Sequence, residues 1–199
     1  MANPQKYKIE TWNHLIIFTT FLITSFTCKV FAQSVPNIPV SQFQRREVLD
    51  PNVGLALEWS VNRESNTINL QVEIESGNGN FALGLTRKGH IEGSDVIYFE
   101  VENGIATPSV SDMFGEDNTT IVQDTNQDWR QISSSTSQNL IRIQIQRNLD
   151  TCDEQDLKID ESLIKVVWDY GVNSSLPSQF DVKGVEFVYF TDTRVYSNA

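Results

Sequence analysis

Residues 139–171, NLIRIQIQRNLDTCDEQDLKIDESLIKVVWDYG, carry the clearest structural signal in this chain. From 140 to 146, isoleucine at every second position alternates with arginine or glutamine, which is the period of a β-strand with one buried face. An acidic connection that holds Cys152 follows, and a second apolar run occupies residues 164–168. The stretch therefore predicts two strands joined by an acidic connection.

Runs of the same kind recur on both sides of this stretch, with turn-forming residues between them. Alternation at residues 55–61 and 67–74 around a short polar turn predicts a hairpin, and Asn103-Gly104 predicts another. Further strands are predicted at 81–85, 95–101, 105–110, 119–123, 129–133 and 185–189, with an irregular acidic corner at 111–117 and a serine-rich turn at 133–137. No amphipathic helix longer than one turn is found, so roughly ten short strands predict an all-β sandwich.

The first 32 residues have the layout of a secretory signal peptide. A polar start with Lys6 and Lys8 precedes an apolar run at 15–28, and small residues precede a cleavage point after Ala32. Lys29 ends the run short of the roughly 20 apolar residues that a membrane-spanning helix needs, so an uncleaved anchor is the weaker alternative. We predict a secreted protein with a signal peptide at 1–32, an extended leader at 33–44, a domain at 45–190 and a tail at 191–199, and with no membrane span after cleavage.

The chain is strongly acidic. Its formal net charge is −11, and removal of the signal peptide, with three lysines and one glutamate, makes it −13. Such a surface repels phosphate backbones and anionic lipid headgroups, which excludes nucleic acid and anionic membranes as expected partners.

Predicted export determines what we expect of the cysteines and of two asparagines. Cys28 leaves with the signal peptide, so Cys152 is predicted either to be a free thiol or to bridge to a second chain. Asn118 and Asn173 each begin an acceptor pattern for N-glycosylation, Asn-Thr-Thr and Asn-Ser-Ser. Both lie among turn-forming residues, which places the predicted glycans on loops.

Most catalytic chemistry is excluded by the residues that the mature chain lacks. It has one histidine, His90, and one methionine, Met113, which are too few for a zinc site or a mononuclear copper site. No nucleophile elbow, phosphate-binding loop or zinc-protease motif occurs. A nucleophilic pair of Cys152 and His90 is disfavoured because the neighbouring carboxylates raise the pKa of the thiol. We therefore predict a protein without catalytic activity of its own.

Carboxylates are the abundant functional group. Aspartates at 95, 112, 117, 124 and 128 stand at predicted strand ends and corners, where hard cations such as Ca²⁺ or Na⁺ find oxygen ligands. Their spacing fits no EF-hand loop. The alternative is that they are solvated aspartates that favour turns.

Several short motifs, taken in order, resemble the DOMON domain at the front of dopamine β-hydroxylase-like, ascorbate-dependent type II copper monooxygenases. These motifs are Leu49-Asp50-Pro51, the strand with Trp59, Phe81-Ala82-Leu83-Gly84-Leu85, Gly93-Ser94-Asp95-Val96, Asp112-Met113-Phe114, Asp124 with Gln127-Asp128-Trp129, Thr151-Cys152-Asp153 and Tyr170-Gly171. The resemblance spans residues 48–190 and implies an immunoglobulin-like antiparallel β-sandwich, in agreement with the strand count.

The resemblance also implies a metal site. The corresponding ligands here are the side chains of Asp95 and Asp128 and the carbonyls of Val96 and Met113. The expected ion is Ca²⁺ or Na⁺, without copper, and its expected role is structural.

Members of this family continue into two copper-binding domains, whereas this chain stops at Ala199. The resemblance therefore implies a binding or interaction module for a small ligand or an extracellular protein, or else a fragment of a monooxygenase. A family cysteine that corresponds to Cys152 pairs with a distant carboxy-terminal cysteine that this chain lacks. Some DOMON domains are similar to the cytochrome of cellobiose dehydrogenase, so a haem b domain ligated by His90 and Met113 is a further alternative.

Overall fold

The computed structural model describes residues 43–75, 79–102, 105–106, 110–171 and 181–191. Within these ranges the chain forms twelve strands and no helix. The strands are β1 Arg45–Asp50, β2 Leu55–Asn62, β3 Thr67–Glu75, β4 Gly79–Thr86, β5 Asp95–Glu102, β6 Ile105–Ala106, β7 Ser111–Gly115, β8 Ile121–Gln123, β9 Arg130–Ser137, β10 Leu140–Asn148, β11 Ile164–Gly171 and β12 Gly184–Val188.

The strands form two antiparallel sheets. Sheet A has the order β1-β2-β3-β10-β9, and sheet B has the order β12-β11-β4-β5-β7-β8 with β6 beside β5. The two strands of the opening stretch, β10 and β11, lie in different sheets, so the acidic connection between them crosses from one sheet to the other. The predicted all-β sandwich is confirmed, and so is the predicted hairpin of β2 and β3.

The core lies between the inner faces of the two sheets. Every second residue of β3 and β10 contributes to it, as the alternation in the sequence predicts. Its largest fully buried side chains include Leu57, Ile68, Leu70, Phe99 and Ile143. A smaller apolar cluster covers the outer face of sheet B, where Ile91 of the β4–β5 loop packs with Val96, Tyr98 and Met113.

The outer face of sheet A carries a row of polar side chains bonded across all five strands. Ser133 Oγ donates to Gln144, Gln144 Nε2 donates to Gln71, and Gln71 Nε2 donates to Glu58, at 2.7 to 3.0 Å. Arg46 closes the row with a 2.7 Å bond to Glu58. Gln71 and Gln144 are buried within this network, so the centre of the face is shielded from solvent, whereas Arg46 at its edge is 46% exposed.

Two local predictions are wrong. The expected irregular corner at 111–117 instead contains strand β7. Asp112 can lie in a buried strand because its carboxylate accepts a hydrogen bond from the backbone of Asp128. The expected serine-rich turn belongs to β9; the turn is Gln138-Asn139, where both residues have positive φ, 52° and 66°. That conformation suits the two-residue turn of a twisted hairpin.

Other predictions fall wholly or partly outside the described residues. These are the signal peptide and leader, the Asn103-Gly104 turn, residues 107–109, Asn173 and the tail beyond Thr191. In the part of the chain that the structure describes, no helix is long and apolar enough to cross a membrane.

Candidate cation site in a buried acidic cluster

Two aspartates of sheet B point into one end of the sandwich. Asp95 begins β5, and the antiparallel register of β5 with β7 pairs Ile97 with Asp112. Since residues two apart on a strand share a face, Asp95 and Asp112 lie on the same inner face as diagonal neighbours. Both residues are buried, with 1% and 0% of their surface exposed.

A close backbone contact fixes where β5 begins. The loop before Asp95 is bonded to Gly115 at the end of β7, through Gly93 N to Gly115 O and Gly115 N to Ser94 O, at 2.8 and 2.9 Å. A side chain at Gly115 would place its Cβ 1.8 Å from the carbonyl oxygen of Ile91. Glycine is therefore required here, because the approach leaves no room for a Cβ.

The loop between β8 and β9 wraps around Asp112. Gln127 bonds both main-chain groups of Asp112, accepting from its N–H at 2.9 Å and donating to its carbonyl at 2.8 Å. One carboxylate oxygen of Asp112, Oδ2, accepts from the backbone N–H groups of Asp128 and Trp129, at 2.9 and 3.2 Å. The other oxygen, Oδ1, is buried and has no hydrogen-bond partner among the described residues.

Asp95 is held by donors from three directions. Its Oδ1 accepts from the indole N–H of Trp129 at 2.9 Å, and its Oδ2 accepts from the guanidinium of Arg147 and from the backbone N–H of Leu157, the latter at 3.3 Å. These donors come from the loop before β9, from β10 and from the acidic connection after it. Asp95 therefore joins the two sheets to that connection.

Arg147 is the cation at the centre of the cluster. Its side chain is fully buried and lies over the ring of Trp129, 4.6 Å from the centroid. It pairs with Asp95, approaches Asp156 at 3.5 Å and donates to the carbonyl of Leu157 at 2.6 Å. Pairing and stacking replace part of the water that a buried guanidinium loses, but the Nε of Arg147 has no hydrogen-bond partner among the described residues.

The charges of the cluster do not balance. Asp95, Asp112 and Asp156 each offer an oxygen within 4.8 Å of the others, and among the described residues the guanidinium paired with them is that of Arg147. With all four groups ionised the cluster carries a net charge of −2. Like Asp112, Asp156 has a buried oxygen, Oδ2, without a hydrogen-bond partner in the described part of the chain.

The excess negative charge raises the pKa values of two carboxyl groups in the cluster. Burial, together with repulsion from Asp95 and Asp156, raises the pKa of Asp112 to about 8. Burial and repulsion from Asp95 raise the pKa of Asp156 to about 6, although Arg147 opposes this. Burial also raises the pKa of Asp128 beside the cluster.

This arrangement is suited to a hard cation. Three buried carboxylates converge here, and two of their oxygens, Asp112 Oδ1 and Asp156 Oδ2, accept no hydrogen bond from the described residues, although Asp156 Oδ2 lies 3.5 Å from the guanidinium of Arg147. Carboxylate oxygen is the preferred ligand of Ca²⁺. A divalent ion would cancel the net charge of −2 left by Arg147. The residues present therefore fit the ion that the family resemblance implies.

The structure brings together a set of residues that differs from the predicted ligands. Asp95 lies in the cluster, and Val96 and Met113 pair across β5 and β7, so their backbones are adjacent to it. Asp128 contributes its backbone N–H to Asp112, and its carboxylate is not among the three that converge within 4.8 Å.

Arg147 and Asp156 were not predicted as site residues. A signal for Arg147 was present in the sequence: it continues the inward series of isoleucines at 141, 143 and 145, so it stands where an apolar residue is expected. Asp156 had no such signal, because it lies in an irregular connection.

The remaining predicted residues lie elsewhere. Met113 is buried in the outer cluster of sheet B beside Ile91, the neighbour of His90. His90 Nδ1 is buried and has no hydrogen-bond partner among the described residues. Asn118 is exposed in the loop between β7 and β8.

Cys152 is disulfide-bonded in the structure, so the free-thiol alternative is wrong. The other cysteine of the chain, Cys28, lies outside the described residues, and a bridge to a second chain stays a prediction.

Comparison with known proteins decides the family. The sequence profile of the DOMON domain matches residues 52–171, which is more than half of the chain. The chain belongs to the DOMON family. The motif residues Asp95, Asp112, Gln127 and Trp129 all lie in or around the buried cluster, which accounts for their spacing in the sequence.

Curated relatives of this DOMON chain are dopamine β-hydroxylase and similar proteins. It is 25% identical to MOXD1 homolog 1 of Drosophila melanogaster, covering 70% of this chain and 20% of the relative. It is 24% identical to dopamine beta-hydroxylase of Rattus norvegicus, over 67% of this chain and 21% of the relative. It is 26% identical to DBH-like monooxygenase protein 1 of Mus musculus, covering 66% and 21%. The chain thus spans about a fifth of the length of these relatives.

Two solved structures share the fold. The cytochrome domain of Myriococcum thermophilum cellobiose dehydrogenase superposes with a TM-score of 0.53 at 11% identity, covering 73% of this chain and 81% of that domain. The cytochrome b domain of pyranose dehydrogenase from Coprinopsis cinerea gives 0.54 at 13% identity, covering 72% and 78%. At this identity the likeness establishes the sandwich fold.

Proposed function

We propose that this chain is a secreted DOMON module that binds a small ligand or an extracellular protein, has no catalytic activity of its own, and is held together at one end by a hard cation. The observation that carries the cation site is the charge of the buried cluster, in which Asp95, Asp112 and Asp156 face a single guanidinium.

The role of the ion is structural. Asp112 belongs to β7, Asp156 to the connection between β10 and β11, and Asp95 to β5, so an ion bound to all three would join elements that are distant in sequence. Asp128 and the carbonyls of Val96 and Met113 complete the proposed coordination, as the family resemblance implies. Ca²⁺ takes six to eight oxygens, more than three carboxylates supply singly.

A calcium titration of chelator-treated protein tests this proposal. We expect heat of binding in a calorimeter and a rise in melting temperature, since an ion that binds the folded state stabilises it by mass action. Asp112→Asn should abolish both effects. Asp117→Asn is the matched control, because Asp117 is an exposed aspartate that caps the loop through Thr119 and Thr120. Equal binding by wild type and Asp112→Asn, or no binding by wild type to Ca²⁺ or Na⁺, contradicts the proposal.

A haem b domain is the second candidate function. It is favoured by the buried, unpartnered Nδ1 of His90 and by the fold that the chain shares with two cytochrome domains. Met113 is packed in the outer cluster of sheet B, so haem ligation would require this cluster to open. The candidate predicts a Soret band that is lost in His90→Ala.

A third reading is that the chain forms the front part of a longer copper-dependent monooxygenase, as its coverage of the relatives allows. It predicts a longer transcript from the same gene that continues into copper-binding domains. In that case the module would regulate or position the catalytic part.

A further inference from the structure

The proposed cation site contains a positive charge that is fixed in place. The side chain of Arg147 is fully buried, and its guanidinium lies 4.6 Å from the ring centroid of Trp129. It also donates to the carbonyl of Leu157 at 2.6 Å. Buried charges are screened by salt much less than exposed charges are. Arg147 therefore acts on an ion in the site at any ionic strength.

Arg147 engages the three carboxylates of the site unequally. It forms an ion pair with Asp95, whose other oxygen accepts from the indole N–H of Trp129. Asp112 Oδ1 and Asp156 Oδ2 accept no hydrogen bond from the described residues, although Asp156 Oδ2 lies 3.5 Å from the guanidinium. Asp112 is fully buried, and its carboxylate offers an oxygen within 4.8 Å of the other two. With all four groups ionised, this arrangement leaves a net charge of −2 for an ion to balance.

Arg147 alone supplies this counter-charge in the part of the chain that the structure describes. No other basic side chain there forms an ion pair with Asp95, Asp112 or Asp156. Lys158 is close to Asp156 in sequence, but it is 64% exposed and pairs with Asp150 at 2.6 Å. Replacement of Arg147 therefore changes the charge of the site by one unit.

We propose that Arg147 sets the ionic charge that the site selects, and that it makes the site prefer Ca²⁺ to Na⁺. This inference rests on the proposed cation site. The Coulomb energy of an ion in a charged site is proportional to the charge of the ion. Na⁺, Ca²⁺ and the lanthanide Tb³⁺ are similar in radius and all bind oxygen, so charge is the main difference between them. Each additional negative charge in the site therefore favours the ion of higher charge.

Arg147→Met isolates this effect because it leaves every candidate ligand in place. A guanidinium is a donor and offers an ion no lone pair, so its removal changes the charge of the site to −3 without deleting a ligand oxygen. Two ratios should rise: the Kd of Na⁺ divided by that of Ca²⁺, and the Kd of Ca²⁺ divided by that of Tb³⁺. Each should rise at least ~10-fold, since unit charges a few ångströms apart interact strongly even at an effective dielectric constant of about 20.

Charge compensation separates this role from a purely structural one. The double variant Arg147→Met with Asp95→Asn lacks the guanidinium and one carboxylate, which restores the net charge of −2. Both ratios should then return to the wild-type values. A loosened site would weaken the binding of all three ions together, whereas a change in charge separates them by valence.

Terbium luminescence provides the measurement. The indole N–H of Trp129 lies 2.9 Å from Asp95 Oδ1, so an excited tryptophan is placed to sensitise Tb³⁺ in the site. The chelator-treated full chain is titrated with Tb³⁺ and then with Ca²⁺ or Na⁺ as competitor. All titrations are made at one pH, with tetramethylammonium as the supporting cation, so that protonation and ionic strength are the same for every ion.

Arg142→Met is the matched control. It removes an arginine from the same strand, but that arginine pairs with Glu73 at 2.6 Å, outside the acidic cluster, so both ratios should stay at the wild-type values. Asp156→Asn is the second test if Arg147→Met does not fold. It keeps Arg147 and changes the net charge to −1, so both ratios should fall.

The inference is overturned by unchanged ratios in Arg147→Met or Asp156→Asn, by ratios that stay raised in the double variant, or by an equal rise in Arg142→Met. Each of these results requires that the wild type binds the ions. A wild type that binds none of the three ions would overturn the cation site itself, together with this inference, so the two failures are distinguishable.

Discussion

Replacement of Asp112 by asparagine should stabilise the metal-free protein, although it removes a buried hydrogen-bonded group. The asparagine carbonyl can accept the same two backbone N–H bonds, from Asp128 and Trp129, that Oδ2 accepts now. Its amide would take the place of the unpartnered Oδ1 and turn a donor toward Asp95 and Asp156. A repulsive contact thereby becomes an attractive one.

The size of the effect follows from the pKa of Asp112. The folded-state pKa of about 8 lies above the ordinary value of 3.8, so the wild type loses stability as the pH rises from about 4 through about 8. Between pH 3.8 and pH 7 the wild type loses unfolding free energy over roughly three pH units, at about 1.4 kcal/mol per unit. The gain in unfolding free energy from Asp112→Asn therefore has a ceiling of about 4 kcal/mol. We expect a gain of about 1 to 4 kcal/mol for Asp112→Asn at pH 7 and almost none at pH 4.

Urea denaturation in the presence of a chelator, at pH 4 and pH 7, measures this directly. Asp117→Asn should behave in the opposite sense, because hydrogen bonds from Thr119 and Thr120 lower the pKa of Asp117 and stabilise its ionised form at neutral pH. An Asp112→Asn protein that is less stable than the wild type at pH 7, or whose gain is the same at both pH values, refutes the reasoning.

Three further substitutions probe the same region. Arg147→Met should lower the free energy of unfolding, measured by urea denaturation, by about 3 to 5 kcal/mol, because it leaves Asp95 buried without its counter-charge. Adding Asp95→Asn to this variant should restore part of the loss. No recovery would contradict the charge argument. Gly115→Ala should lower the free energy of unfolding by about 1 to 3 kcal/mol, since the added Cβ would clash with the backbone of Ile91. An unchanged stability would show that the loop around Ile91 can move to accommodate the Cβ. If the proposed secretion and glycosylation hold, Asn118→Gln should remove one glycan from protein expressed through a secretory pathway without changing its melting temperature. An unchanged gel mobility would argue against modification there.

The sequence predicts the sandwich because strand periodicity is local. Two-residue alternation in β2, β3 and β10 predicts which face of each strand packs in the core, and the apolar positions of these strands are buried as expected. It does not predict that the polar positions of β3, such as Gln71, are buried too. The failures occur where a buried polar group is satisfied from a distance. Asp112 suggested an irregular corner, but the loop from Gln127 to Trp129 supplies its bonds and allows a strand.

The composition of the site is harder to predict, because its members meet only after the sheets pack. Asp95 and Asp112 are diagonal neighbours only through the register of β5 and β7, and Asp156 reaches them from an irregular connection. Periodicity cannot show either relation. Arg147 is different: a charged residue in the inward series of β10 is visible in the sequence, and it marks the point where the core becomes ionic.

Elemental analysis combined with an absorption spectrum of the protein, purified without chelator, tests the proposed cation site most directly. We expect a colourless protein that carries about one calcium per chain, or sodium when calcium is withheld, and that loses the ion in Asp112→Asn. A Soret band with stoichiometric iron would contradict it and place the function at His90 and Met113. A metal-free protein that gains no stability from added Ca²⁺ or Na⁺ would show that protons alone balance the charge of Asp95, Asp112 and Asp156.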